Sequence, residues 1–462
     1  MKVLLATLTG LFFMLGFASP EQAPPSFPHK EANAVFVNFK HAVHELTYDY
    51  ISRTATVESD ITFSSKEEGY PIFDLVSVPT EVLLDGLSVT VEEVADPDAQ
   101  TLLRVVQQRI GQGEHRLQLR HTFSTNVVFN ELGVASAFWL SDLNDRRYLE
   151  QYLPSNFEFD QYSRQINVNF VGFESLKHTI KTNGRVRKIN RDRYEIAYPG
   201  FYTSSSLFFH VFPDKSPVSN VQFYYSSIDG RQLPVDIYSI VDINPFVSLT
   251  QILLRELEAD YGPFPFDQIL IYGTTLVKGG MEYSGATATG LLSLGHELFH
   301  SYNARGVMPA NGNSGWMDEA MSRWRDNNYP LASVLGHQSA ALAGHSVWAR
   351  RTDGLSYAQG SAFLSLLGHR MNEKGLNLKS FLKDYYAKYM HSTVTTPMFE
   401  EEVSAAAGID FSADFNRYVY GKYTPEVPAS GSSKHIKVED PHHPSMSKEA
   451  LRKLTMPSSA DP

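Results

Sequence analysis

The sequence has no cysteine among its 462 residues. That absence removes disulfides, iron–sulfur clusters, thiolate zinc sites and cysteine nucleophiles together. Any metal must then be held by His, Asp and Glu. Basic charge is also short: 40 Lys and Arg stand against 51 Asp and Glu, a net charge of −11. Nucleic-acid binding needs cations to neutralise phosphate, so that class of partner is excluded. Beyond residue 17 no long apolar run occurs, so nothing past the leader is suited to stable membrane insertion.

What the chain has in quantity is aromatic residues, with 24 Tyr and 29 Phe beside 24 Pro and 30 Gly. This is the composition of a folded, sheet-containing protein. The length is compatible with two or three domains. It allows a core large enough to need no covalent staples. At the start, Lys2 precedes the apolar stretch Val3 to Phe17, and Gly16-Phe17-Ala18 offers small residues for a peptidase to read. Residues 1–18 read as a signal peptide cleaved after Ala18. The alternative, an uncleaved anchor, is short for a membrane span. The expectation is an exported protein, periplasmic or secreted. A bacterial setting suits an exported chain without cysteine.

After a linker over 19–32, residues 33–237 carry the alternation of half-buried strands. Examples are Ala55 to Phe63, His115 to Phe123 and Gln165 to Phe170. Turn residues such as Asp85-Gly86 and Gly111-Gln112-Gly113 separate them. A mostly antiparallel β-rich domain is expected there. The period then changes. Asn244-Pro245 reads as an N-cap with proline in the first turn, and Phe246, Leu249, Leu253 and Leu257 follow at helical spacing before Gly262. One strand, Ile269 to Tyr272, precedes mostly helical patterns up to about Tyr420. The fold class is α+β, with the second domain over 238–424. Residues 425–462 have the composition of a disordered tail.

The sharpest chemical signal is His296-Glu297-Leu298-Phe299-His300. Four residues along a helix turn the chain by about 40° and raise it by about 6 Å, so both imidazoles share one face. Two such imidazoles can grip one zinc ion, with Glu297 beside the first ligand able to act as the base. The apolar neighbours Leu291, Leu292, Leu294, Leu298 and Phe299 point to a buried helix, where two unpartnered histidines would be costly. The alternative is a surface helix with two satisfied histidines. The third ligand is expected at Glu319, which follows His300 after 18 residues of loop-like sequence and a second helix starting near Trp316. Two His and one Glu leave a coordination position open, the arrangement of a catalytic zinc. Asp326, two helical turns past Glu319, is the candidate carboxylate for a ligand imidazole. A solvated charge is its alternative.

With these residues in view, the sequence resembles the gluzincin aminopeptidases of the aminopeptidase N and leukotriene hydrolase family. His296-Glu297-x-x-His300, 18 residues and Glu319 match that family's spacing. Gly279-Gly280-Met281-Glu282-Tyr283 is similar to its G-x-M-E-N motif, and Tyr357-Ala358-Gln359-Gly360 to its Y-x-K-G. The resemblance implies a thermolysin-like, mostly helical zinc-peptidase domain. It implies that Glu282 binds a substrate's free α-ammonium, that Tyr357 stabilises the oxyanion, and that Gly279 and Gly280 line the peptide. It implies one Zn2+ per chain and peptides with a free N-terminus as substrates. The departures are Tyr283 for Asn, Asp318-Glu319-Ala320 for N-E-G, Tyr302 for Trp, and no large helical C-terminal domain. Glycyl aminopeptidases, echoed in Ser301-Tyr302-Asn303-Ala304-Arg305, rank second. A zinc endopeptidase, or a non-catalytic peptide-binding relative, also stays open. His41 and His44 lie three apart in a strand-like stretch, so they point to opposite faces and make a poor ligand pair.

Overall fold

The computed structural model describes residues 24–141, 148–156, 160–274, 279–343, 346–348 and 351–422. The signal peptide at 1–18, the first part of the linker and the tail at 425–462 lie outside the described residues. Alternation does what it was expected to do. Along Thr54–Ser65 the residues Ala55, Val57, Ser59, Ile61, Phe63 and Ser65 are buried and their neighbours are not. This strand lies within a sheet of eight described strands, paired with Asn38–Asp49 and Gly113–Phe123. Most pairings in the β-rich part are antiparallel. Ser163–Val171 against Asn38–Asp49 is parallel. His41 is exposed on Ser163 and His44 is buried on Ser59, so the pair does face opposite ways.

Two smaller sheets complete the β-rich part. One contains Phe27–His29, Ala32–Phe36, Tyr70–Phe73, Leu102–Val106 and Val91–Ala95. Its first strand falls inside the expected linker, where Pro28 and the short run hide any alternation. The other contains Val127–Asn130, Gly133–Ala137, Phe209–Pro213 and His178–Thr182.

A further sheet sits beneath the candidate site, in the order Ser219–Ser226, Gln232–Ser239, Ile269–Gly273, Ala286–Thr289, Gly280–Tyr283. The expected division at residue 237 falls within Gln232–Ser239, whose partners lie on both sides of it in sequence. The hairpin 280–289 was not expected. Both of its strands are wholly buried, and a strand covered on both faces shows no polar alternation.

Seven helices are described: α1 Asn244–Tyr261, α2 Leu294–Phe299, α3 Asn311–Asp326, α4 Ser361–Asn372, α5 Leu378–Tyr389, α6 Thr396–Ala407 and α7 Ser412–Tyr418. α1 contains Asn244 rather than being capped by it, and Asp242 Oδ1 accepts from its N–H. α3 begins at Asn311, earlier than the expected start near Trp316. Its weak helix formers are held by tertiary contacts: Ser314 Oγ accepts from Thr396 N–H, and Trp316 Nε1 donates to Thr396 Oγ1 at 3.0 Å. One hydrophobic core runs without a break from the β-rich part into these helices. Among the described residues no helix is long and apolar enough to cross a membrane.

From Asn327 to Gly354, between α3 and the turn that leads into α4, the described residues form a long strap with neither helix nor strand. Leu342 is fully buried, and Ala340 and Ala343 N–H groups donate to Arg417 and Val419 carbonyls beside α7. Trp348 reaches the first small sheet, packing on Phe27 and Phe36 at ring distances of 5.5 and 5.4 Å.

His210 is fully buried in the β-rich part. Nδ1 is 2.7 Å from the Tyr238 hydroxyl, and Nε2 has no partner among the described residues. Burial pushes its pKa down to about 3. The unfolded chain therefore takes up a proton near pH 6.5 that the folded chain refuses. Below that pH this histidine costs about 1.4 kcal/mol of stability per pH unit. We expect His210→Gln to gain on the wild type by that slope between pH 6.5 and 4. Urea denaturation at several pH values reads it, and parallel stability curves would refute it.

Candidate functional site

The pentapeptide His296 to His300 sits on α2 as its spacing requires. His296 lies in the helix, and His300 follows as its C-cap, still with right-handed helical dihedrals. Their rings stand 4.6 Å apart. The helix is short, so tertiary packing must hold it. Leu294, Leu298 and Phe299 are buried, each worth about 1.5–3 kcal/mol of burial. Tyr261 and Tyr386 pack on Phe299. The Tyr302 hydroxyl donates to the Gly262 carbonyl at 2.8 Å, tying the end of α2 to the exit of α1.

α3 brings Glu319 to this face. Its Oε2 lies 3.1 Å from His296 Nε2 and 3.8 Å from His300 Nε2. One ligand atom from each of these three residues falls within 4.8 Å of the other two. Asn303 fixes the approach, donating from Nδ2 to the carbonyls of Met317 and Asp318 at 3.1 and 3.0 Å. Asp326 takes the place expected of it: Oδ2 is 2.6 Å from His296 Nδ1. Arg325 steadies that carboxylate at 3.2 Å and also donates to Gly295 of α2 and Glu256 of α1.

Two partners were missed from the sequence. Asp318 Oδ1 lies 2.5 Å from His300 Nδ1, where the resemblance flagged Asp318 only as a departure. Arg305 donates to Glu282 at 2.5 Å, and both are buried. Arg305 is aimed by a strained backbone. Ala304 has φ 81° and is almost wholly buried, a conformation that costs an L-residue about 1–2 kcal/mol. Hydrogen bonds from Ala304 N–H to Val307 and from Arg305 N–H to His300 hold it there.

The edge strand Gly280–Tyr283 faces α2. Period 2 puts Gly280 and Glu282 on one side, Met281 and Tyr283 on the other. A Cβ at Gly280 would sit 2.4 Å from the Glu297 carboxyl group. Gly279 has φ 99°, a region that favours glycine. Tyr283 points away into the β-rich part, packing on Phe208 and exchanging long hydrogen bonds with the backbone at Phe138 and Leu140. Its replacement of Asn is therefore on the side away from His296, His300 and Glu319. Tyr357 stands on a widened turn, Ser356–Gly360, and donates its hydroxyl to Glu319 Oε1. A Cβ on Gly360 would lie 2.7 Å from Ala320 Cβ, so these two small residues permit the approach.

The electrostatics favour a cation. Burial works to strip protons from His296 and His300. Against it, Asp326 and Glu319 act on His296 and Asp318 and Glu282 on His300, raising the affinity of both imidazoles for positive charge. Burial alone would push the Glu319 carboxyl up, but the imidazoles and Tyr357 hold it below the usual range. Burial pushes Glu297 up, with the charges of Glu282 and Glu319 adding to it. Among the described residues, His300 Nε2 and Glu297 Oε2 are buried without a hydrogen-bond partner. Two imidazoles and a carboxylate, with such orphaned atoms facing them, fit a zinc ion.

No family model matches the chain, and no curated protein sequence is significantly similar to it. Solved structures are similar in fold. An M1 zinc metallopeptidase from Deinococcus radiodurans is 15% identical with a TM-score of 0.58, covering 86% of this chain and 97% of that one. Yeast LTA4 hydrolase is 12% identical with a TM-score of 0.59, over 85% and 69%. Legionella pneumophila aminopeptidase A is 11% identical with a TM-score of 0.61, over 82% of this chain and 49% of its own length. At such identity the likeness shows the fold: a β-rich part followed by a helical part, as in these M1 proteins.

The close fit at Gly280 can be tested by itself. We expect Gly280→Ala to cost about 1–3 kcal/mol of stability through overpacking and to displace the Glu297 side chain. Denaturant titration and a crystal structure of the variant check this. Wild-type stability with Glu297 in place would contradict it.

Proposed function

We propose that this chain is an exported zinc aminopeptidase, removing N-terminal residues from peptides. The observation that carries this reading is the convergence of His296, His300 and Glu319 beside a buried Glu297 carboxylate oxygen with no partner among the described residues. The fold it shares with M1 zinc metallopeptidases supports the reading, as does the capture of a Tyr-Ser-Ala substrate by a mutant of the Deinococcus protein. Export rests on residues 2–18 alone.

His296, His300 and Glu319 would hold the metal. Zinc, when bound, supplies the acidity that makes water a nucleophile near neutral pH. Glu297 takes the proton from the attacking water and delivers it to the leaving amine. The Tyr357 hydroxyl, whose one proton points to Glu319 Oε1 in the free site, turns it to the carbonyl oxygen as that oxygen gains negative charge. Gly279 and Gly280 let the peptide backbone run close to the sheet edge. Glu282 offers a carboxylate to the substrate's ammonium.

Hydrolysis of amino-acid amides and short peptides, with and without a chelator, tests the reading directly. We expect activity that the chelator abolishes and zinc restores, and Glu297→Gln protein that keeps its zinc but loses turnover. Chelator-resistant activity, or an active Glu297→Gln variant, would sink it.

One observation favours a second reading, cleavage of amides without regard to a free amine: Arg305 already pairs with Glu282. In the aminopeptidase reading the substrate ammonium shares that carboxylate. Glu282→Ala should then depress kcat/KM for free-amine peptides by about 10- to 100-fold and leave N-acetylated peptides unchanged. Equal losses on both would favour the second reading.

A further inference from the structure

α3 carries more of the site than Glu319. Asp318, Ser322 and Asp326 recur every four residues, a stripe along one side of the helix. α2 and α3 meet with their order reversed: the first histidine meets the last carboxylate and the second histidine the first. Asp326 Oδ2 is 2.6 Å from His296 Nδ1, and Asp318 Oδ1 is 2.5 Å from His300 Nδ1. Each imidazole thus has a carboxylate behind it, on the nitrogen remote from Glu319.

The two carboxylates are not equivalent. Asp326 is shared with Arg325 and is partly exposed. Asp318 is buried, and among the described residues His300 is its ion-pair partner, with no Lys or Arg beside it. Ser322 Oγ also lies near His300 Nδ1, at 3.2 Å, but its O–H is donated to the Asp318 carbonyl at 3.0 Å. The Asp318 carboxylate is set against Nδ1 as a charge rather than as a well-aligned hydrogen-bond acceptor. Its charge favours a proton on Nδ1, and so the tautomer whose Nε2 lone pair faces Glu319. A carboxylate behind an imidazole also raises its donor strength.

We propose that Asp318 is a positioning residue for His300 that governs how tightly the chain retains zinc. The inference rests on the zinc reading above. His300 is the cationic neighbour of Asp318 among the described residues, while Asp326 is shared between His296 and Arg325. His300 is the fully buried ligand, and its Nε2 has no other hydrogen-bond partner among the described residues.

The test is Asp318→Asn, which keeps the shape and an acceptor and removes the charge. Zinc affinity is measured by competition with a chromophoric chelator, and zinc release by its half-time in excess chelator. We expect about 10- to 100-fold weaker zinc binding and correspondingly faster release. Asp318→Glu, which restores the carboxylate, should recover part of the loss. Ser322→Ala should change little. Cobalt(II) in place of zinc should show a shifted visible spectrum in Asp318→Asn. Circular dichroism establishes that each variant is folded. If the wild type binds zinc tightly and folded Asp318→Asn binds it equally well, this inference is overturned and the zinc reading stands. If the wild type takes up no zinc, the zinc reading fails and this inference fails with it.

Discussion

Four carboxylates, Glu282, Glu297, Asp318 and Glu319, are buried within one small volume, each almost wholly removed from water. Like charges in that setting repel strongly and forgo their hydration. Everything around them answers this load. Arg305 lies against Glu282, His300 against Asp318, and His296 against Glu319. Among the described residues Glu297 has no such partner, and burial drives its carboxyl toward the protonated form. A divalent cation at the two histidines would complete the balance. The same ion would make Glu297 easier to ionise. The site is therefore a concentration of negative charge that becomes tolerable around a positive centre.

Close backbone approach is the other half of the construction. Gly280 leaves room for the Glu297 side chain, and Gly360 meets Ala320 so that Tyr357 can reach Glu319. The strained Ala304 delivers Arg305 to Glu282. Each device puts a small residue or an unfavourable dihedral where a charged side chain must fit. The cost is met by the continuous core beneath, in which Phe299, Tyr302 and Trp316 are fully buried.

The shared face of His296 and His300 was legible because helical periodicity is local. Residues four apart must share a face, and Asp326, seven after Glu319, must nearly do so. The β-rich part was legible where one strand face is wet and the other dry. The hairpin 280–289 was hidden because both its faces are dry. Asp318 was missed for a related reason. It sits about 100° around the helix from Glu319, so spacing alone turns it away from the ligands. Only the reversed packing of α2 on α3 shows that His300 Nδ1 lies on that side. Arg305 depends on a backbone turn with positive φ at an alanine, which residue type does not announce.

The strap between α3 and α4 leads to Tyr357, and Trp348 fastens its middle into the small sheet that holds Phe27 and Phe36. His296, His300 and Glu319 are carried by α2 and α3, and Tyr357 is held to α3 through Gly360 and its bond to Glu319. Trp348 stands nine residues before Tyr357 and is seated on Phe27 and Phe36. A change at either phenylalanine that unseats the indole therefore acts next to the tyrosine in sequence while remote from the histidines in the fold.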